Sequence, residues 1–133
     1  MNLKKLFLDH CRVNKLEIND NQIIIVENIK KFYTKNFNRN FLSSLFLKEE
    51  SILGFYLQGD VGVGKTMILN FFYENFKRTK QRLHFNEFMI NFHDFIFKNK
   101  NSKKGNVIDK FVINLKKKYK LIYLDEFQVT NIV

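Results

Sequence analysis

The chain has 133 residues, a formal net charge of +10, 45% hydrophobic and 27% charged residues, which suits one domain or part of one and argues against disorder. No stretch approaches the ~20 apolar residues of a membrane span, and Asp9 interrupts the N-terminus too early for a signal-peptide core. The single cysteine, Cys11, argues against a disulfide framework or a Cys-rich zinc site, so a reduced, cytoplasmic protein is expected. The 16 phenylalanines, the missing proline and tryptophan, and the heavy use of lysine, asparagine and isoleucine follow A- and T-rich codons. Much of the positive charge is therefore a solvated lysine surface. It could attract nucleic acid or anionic lipid at low salt, but nucleic acid is not the expected partner.

In chain order, residues 3–14 place Leu3, Leu6, Phe7 and Cys11 on one helical face, and Cys11 reads as a small core residue. Residues 20–35 contain the β-branched run Ile23–Val26, which suits a strand. Asn19 or Asp20 offers an N-cap, and Val26, Ile29, Phe32 and Tyr33 continue at helical spacing, so helix is favoured. Residues 36–50 read as an irregular connector. From residue 51 the pattern alternates strand and helix. Strand is predicted for Ile52–Gln58, helix from Lys65 to about Lys77 with Ile68, Phe71, Phe72 and Phe76 on one face, and strand for Arg82–Phe88. Helix follows over Met89–Phe97, and Asn99–Gly105 breaks it. Residues 107–119 read as the cleanest helix, with Ile108, Phe111, Val112, Leu115 and Tyr119 on one face, Asp109 in the first turn and Lys116–Lys118 at the end. Leu121–Leu124 is predicted as a buried, wholly apolar strand. Alternating strands and helices of this kind predict α/β with a parallel sheet.

Four of the five glycines fall between positions 54 and 64. Within that cluster Gly59-Asp60-Val61-Gly62-Val63-Gly64-Lys65-Thr66 satisfies the P-loop spacing, with strand expected before it and helix after. Glycines free the backbone so that consecutive N–H groups face phosphate oxygens at the positive helix end. Lys65 would place a charge on the β- and γ-phosphates, and Thr66 would offer a hydroxyl to Mg²⁺. The second motif, Leu121-Ile122-Tyr123-Leu124-Asp125-Glu126, brings Asp125 out at the carboxyl end of a strand, where open α/β sheets bind ligands. Asp125 could hold Mg²⁺, and Glu126 could polarise a water for attack on the γ-phosphate. Gln128 stands where a GTPase turn would need glycine, so ATP is the expected nucleotide. His84 and His93 lack carboxylate or thiol partners at ligand spacing and read as packing or surface residues.

Three segments, GFYLQGDVGVGKTMILNFFY (54–73), RLHFNEFM (82–89) with His93 after it, and LIYLDEFQVTNI (121–132), resemble the ZapE family of AAA+ ATPases, bacterial cell-division proteins with mitochondrial relatives. Asp20, Gln22 and Val26 fit that family's opening helix. The resemblance implies a P-loop NTPase sheet of five strands in order 5-1-4-3-2, and the AAA+ roles for Lys65, Thr66, Asp125 and Glu126. His84, Phe85 and Phe88 belong to a family signature. Asp60, Val63, Asn86 and Asn131 depart from the family's usual residues, and Asn86 stands where a histidine is usual. By the same resemblance the sequence holds strands 1, 2 and 3 but not strand 4 with its sensor residue, strand 5, the arginine finger or the lid. Residues 52–58 would then lack both neighbours in the sheet.

The expected product is an incomplete α/β P-loop core, residues 51–133, preceded by a helical segment and connector, residues 1–50. Its expected activity is Mg²⁺-dependent ATP hydrolysis, with Lys65 and Glu126 catalytic, residues 59–66 binding the nucleotide, and Thr66 and Asp125 binding the metal. Such a fragment would have low activity. The resemblance further implies a cell-division or membrane-associated protein partner, a homo-oligomer in the longer form, and a cytoplasmic location at the inner membrane. A non-catalytic nucleotide-binding module is the alternative, and a replication-type ATPase touching DNA a third.

Overall fold

The computed structural model describes residues 2–37, 54–59, 64–100 and 105–127. The chain divides into two compact units, Met1–Asn75 and Phe76–Val133.

In the first unit three helices build a core. Helix α1 (Leu3–Val13) starts at Asn2, whose side-chain oxygen accepts from the Lys5 amide at 3.2 Å. It stops in a left-handed turn: Lys15 has φ 53°, the Leu16 amide donates to the Cys11 carbonyl at 2.9 Å and the Lys15 amide to Arg12 at 3.3 Å. This Schellman geometry satisfies carbonyls that the helix leaves open. Leu3, Phe7 and Cys11 are buried as their spacing predicts, whereas Leu6 remains 41% exposed at the edge of the stripe.

Helix α2 (Asp20–Phe37) decides the ambiguous segment in favour of helix. Asn19 caps it reciprocally: its side chain accepts from the Gln22 amide at 2.9 Å, and the Gln22 side chain accepts from the Asn19 amide at 3.3 Å. Of the β-branched run only Val26 is buried, followed by Ile29 and Phe32 one and two turns later. Helix α3 (Lys65–Asn75) buries Ile68, Phe71 and Phe72. Phe76 lies just beyond its end and is buried, so the helix closes before the expected Lys77. Edge-to-face rings tie the helices together, Phe7 with Phe71 at 5.4 Å and Tyr33 with Phe72 at 6.4 Å.

The second unit runs β1 (Lys80–His84), α4 (Phe85–Asn99), α5 (Val107–Lys118) and β2 (Leu121–Asp125). The two strands pair in parallel with Lys80 opposite Leu121, Arg82 opposite Tyr123 and His84 opposite Asp125. The strand expected to reach Phe88 ends at His84. Its partner turns away at Glu126, which has φ 51°, and unpaired backbone groups are better satisfied inside a helix. Phe88, Phe92 and Phe95 of α4 then surround Phe111 of α5, with ring centroids 5.9, 5.1 and 5.3 Å away. Helix α5 is capped by Asn106, which accepts from the Ile108 amide at 2.9 Å, and carries Lys116–Lys118 in its last turn. Phe111 is its buried residue, while Ile108 and Val112 of the predicted apolar face stay exposed.

Two expectations for the sheet require correction. Residues 54–59 form no strand, and among the described residues the sheet has two strands, β1 and β2. A strand is stable only when a neighbour takes its amide and carbonyl groups; Phe55 instead approaches Phe32 at 6.2 Å between ring centroids. Strand β2 is half-buried throughout rather than fully buried, because one neighbouring strand and one covering helix shield only part of it. The architecture is thus mixed helix with a small parallel sheet, compatible with an incomplete α/β P-loop core. The predicted connector beyond Phe37, residues 51–53 and residues 101–104 lie outside the described residues, as do Gln128 and Asn131.

Candidate functional site

The first cluster sits at the N-terminus of α3. Lys65 opens that helix, and its ammonium donates to the Gly59 carbonyl at 2.6 Å. Asp60, Val61, Gly62 and Val63 lie outside the described residues. Gly64 has φ 80°, a left-handed conformation that costs other residues roughly 1–2 kcal/mol. A Cβ there would also come within 2.8 Å of the buried Gln22 amide nitrogen. Glycine is therefore favoured by its backbone angle, while the close Gln22 atom is the end of a flexible side chain that can shift aside. Thr66, on the first turn of α3, is exposed. The expected result of Gly64→Ala is a loss of about 1–2 kcal/mol in a denaturation midpoint. Gly54→Ala, whose new methyl would meet nothing within 4 Å, is expected to be close to neutral.

The second cluster lies at the carboxyl end of the sheet. Alternation puts Arg82 and His84 on one face of β1 and Tyr123 and Asp125 on the same face of β2. Arg82 pairs with the Asp125 carboxylate through Nη2 and Oδ2, and its guanidinium lies 5.0 Å from the Tyr123 ring centroid. The other oxygen of Asp125 accepts the Glu126 amide at 3.2 Å. The Arg82 hydrogen bond, and then its charge, hold the Asp125 carboxyl below the usual carboxylate range against the opposing effect of burial. Burial first, and next the Asp125 charge, push the Tyr123 phenol up. The His84 imidazole Nδ1 lies 3.7 Å from Glu126 Oε2. Glu126 adopts a left-handed backbone that a non-glycine residue rarely takes, which swings its carboxylate off the strand axis. A recess of about 200 Å³ is lined by Arg82, Leu83, His84, Glu87 and Asp125.

The structure thus brings Gly59, Gly64, Lys65 and Thr66 into one cluster and Asp125 and Glu126 into another. His84, from the RLHFNEFM segment, lies beside the second. His93 stacks on Phe92 at 5.6 Å on helix α4. Arg82 is the residue that the sequence reading passed over. Its signal was available: a cation two residues before His84 shares that residue's strand face, and the acidic end of the neighbouring strand needs a counter-charge.

The donor chemistry fits a magnesium nucleotide. Among the described residues no three His, Cys, Asp or Glu side chains gather into a metal cage. Nucleotide-bound Mg²⁺ does not need one, since it takes one or two protein oxygens together with phosphates and water. A hydroxyl at the start of α3 and a carboxylate at the end of β2 are hard oxygen donors of that kind.

A zebrafish (Danio rerio) protein, lactation elevated protein 1 homolog B, is 40% identical over 91 residues, covering 59% of this chain and 18% of its own length. An uncharacterized protein of Schizosaccharomyces pombe is 33% identical over 84 residues, again 59% and 18%. The cell division protein ZapE of Escherichia coli K12 is 42% identical over 48 residues, 35% of this chain and 13% of that protein. The chain therefore spans less than a fifth of the length of these relatives. No solved structure is significantly similar. The AFG1-like ATPase family model matches residues 7–133, from the middle of α1 past both motif clusters, and the chain belongs to that family.

Proposed function

We propose that the protein binds ATP and, in its longer form, hydrolyses it with Mg²⁺. The observation that carries this reading is the Gly59–Thr66 motif at the start of α3, with the Lys65 ammonium folded onto the Gly59 carbonyl. An ammonium resting on a neutral carbonyl is ready to exchange it for phosphate oxygens, which attract it more strongly. In this reading residues 51–133 are the ATPase core and residues 1–50 the helical segment before it. The loop amides and Lys65 hold the phosphates, and Thr66 and Asp125 are the protein's ligands to Mg²⁺. That ion, when bound, neutralises charge on the phosphates. Glu126 accepts a proton from the attacking water and orients it toward the γ-phosphorus.

The 133-residue chain is expected to turn ATP over slowly. Residues 54–59, which lead into the motif, are not held in a strand, and a strand at that point is the rigid support on which preorganised catalysis relies. The same observation supports a second reading, a nucleotide-binding module without turnover. A cell-division protein partner is part of this proposal through the E. coli relative alone. No helix among the described residues is long and apolar enough to cross a membrane.

Equilibrium binding of a fluorescent ATP analogue tests the proposal. Lys65→Ala is expected to weaken binding roughly 10- to 100-fold through loss of charge-assisted hydrogen bonds to phosphate. Equal affinity in the folded variant and the wild type would remove the nucleotide site from the P-loop motif.

A further inference from the structure

We propose that Arg82 is a positioning residue that competes with the divalent cation for Asp125, so that loading of the magnesium nucleotide requires its guanidinium to let go. The inference rests on the reading in which Asp125 is a magnesium ligand. Both Asp125 oxygens are engaged, Oδ2 by Arg82 and Oδ1 by the Glu126 amide at 3.2 Å. A cation arriving at the carboxylate therefore meets a donor on either oxygen, and the guanidinium, being positive, also repels it. The Glu126 amide is fixed in the turn, whereas the guanidinium sits on a flexible stem.

Exposure points the same way. The Arg82 side chain is 40% exposed and the Asp125 side chain 20%, so the arginine can return to water while the acid stays in place. The Tyr123 ring below the guanidinium keeps it aimed at Asp125 until it is displaced. The recess beside the pair is also lined by Glu87, on the first turn of α4. That carboxylate gives the released guanidinium an alternative partner without leaving the site. Arg82 thus holds the Asp125 carboxylate in one orientation before the metal arrives, at the expense of some metal affinity.

The test uses the 133-residue chain and a fluorescent ADP analogue, with Mg²⁺ titrated from EDTA to saturation. Arg82→Gln is expected to lower the Mg²⁺ concentration for half-maximal nucleotide binding about three- to tenfold. Affinity in EDTA should not change, a combination that a merely structural ion pair would not produce. Arg82→Lys keeps the charge but loses the planar fork, and its midpoint should fall between the two. An unchanged or raised midpoint in folded Arg82→Gln overturns the proposal; if that variant does not fold, an unchanged midpoint in Arg82→Lys does so. Asp125→Asn separates the two levels of inference. If it shifts the Mg²⁺ dependence and the Arg82 variants do not, only the arginine's role fails. If it leaves the dependence unaltered, Asp125 is not the ligand and both readings fall.

Discussion

Replacing Glu126 by glutamine is expected to lower the rate of phosphate release about 10²- to 10⁴-fold while leaving ATP binding within a factor of a few. The two effects separate because the side chains do different work. In the proposed site Lys65 and the loop amides would contact phosphates in the ground state, so their loss would appear in affinity. Glu126 would act on the water, and an amide of the same shape could not take its proton. The residue has a left-handed backbone, its amide bonded to Asp125 and its carboxylate 3.7 Å from the His84 imidazole. Single-turnover phosphate release, with binding measured in parallel, reads both quantities. A variant that hydrolyses ATP as fast as the parent chain would leave Glu126 without a catalytic role. If the parent itself shows binding but no release above background, the non-catalytic module becomes the better description of this chain.

Phe7→Ala should cost about 3–5 kcal/mol, which for a unit of this size is comparable to its whole stability. Phe7 is completely buried and meets Phe71 edge to face, so truncation removes both apolar area and a ring contact from the junction of α1 and α3. Cys11 reports the result, since it lies one helical turn from Phe7, is also completely buried, and has its thiol pushed up by burial. In the wild type, reaction of Cys11 with a disulfide reagent at neutral pH should be slow, because both access and thiolate are scarce. In Phe7→Ala it should approach the rate of the unfolded chain. Val13→Ala, at a position 77% exposed, should leave the rate unchanged and shift stability by no more than about 0.5 kcal/mol. Continued protection of the thiol in Phe7→Ala would mean that α1 is not part of the core.

The helices were legible wherever a cap and a long apolar period agreed. Asn19 and Gln22 form the cap that resolves the 20–35 ambiguity, and the extended spacing Val26, Ile29, Phe32 outweighs four adjacent β-branched residues because it continues past strand length. The misread stretch was 82–88, where Leu83, Phe85 and the residues between them alternate as a strand would. Phe85, Phe88, Phe92 and Phe95 also fit a helical period, and seven residues are too few to separate the two. The end of the partner strand settles the boundary at His84, because Phe85 finds no ladder to join. Residues 52–58 illustrate the same dependence: apolar content marks a segment fit for a strand, but hydrogen bonds from a neighbour make one.

By itself the sequence marked the ATPase family, because a P-loop and a strand-end acid pair are local patterns in which residue type and spacing carry the signature. It also determined the faces of α1, α2 and α3, since helical periodicity is a short-range property. Only the tertiary structure decided which strand carries a partner, that Gly64 lies against the Gln22 side chain, and that Arg82 takes the Asp125 carboxylate. Those outcomes depend on atoms far apart along the chain meeting within a few ångströms, and no pattern of nearest neighbours encodes a distance across a fold.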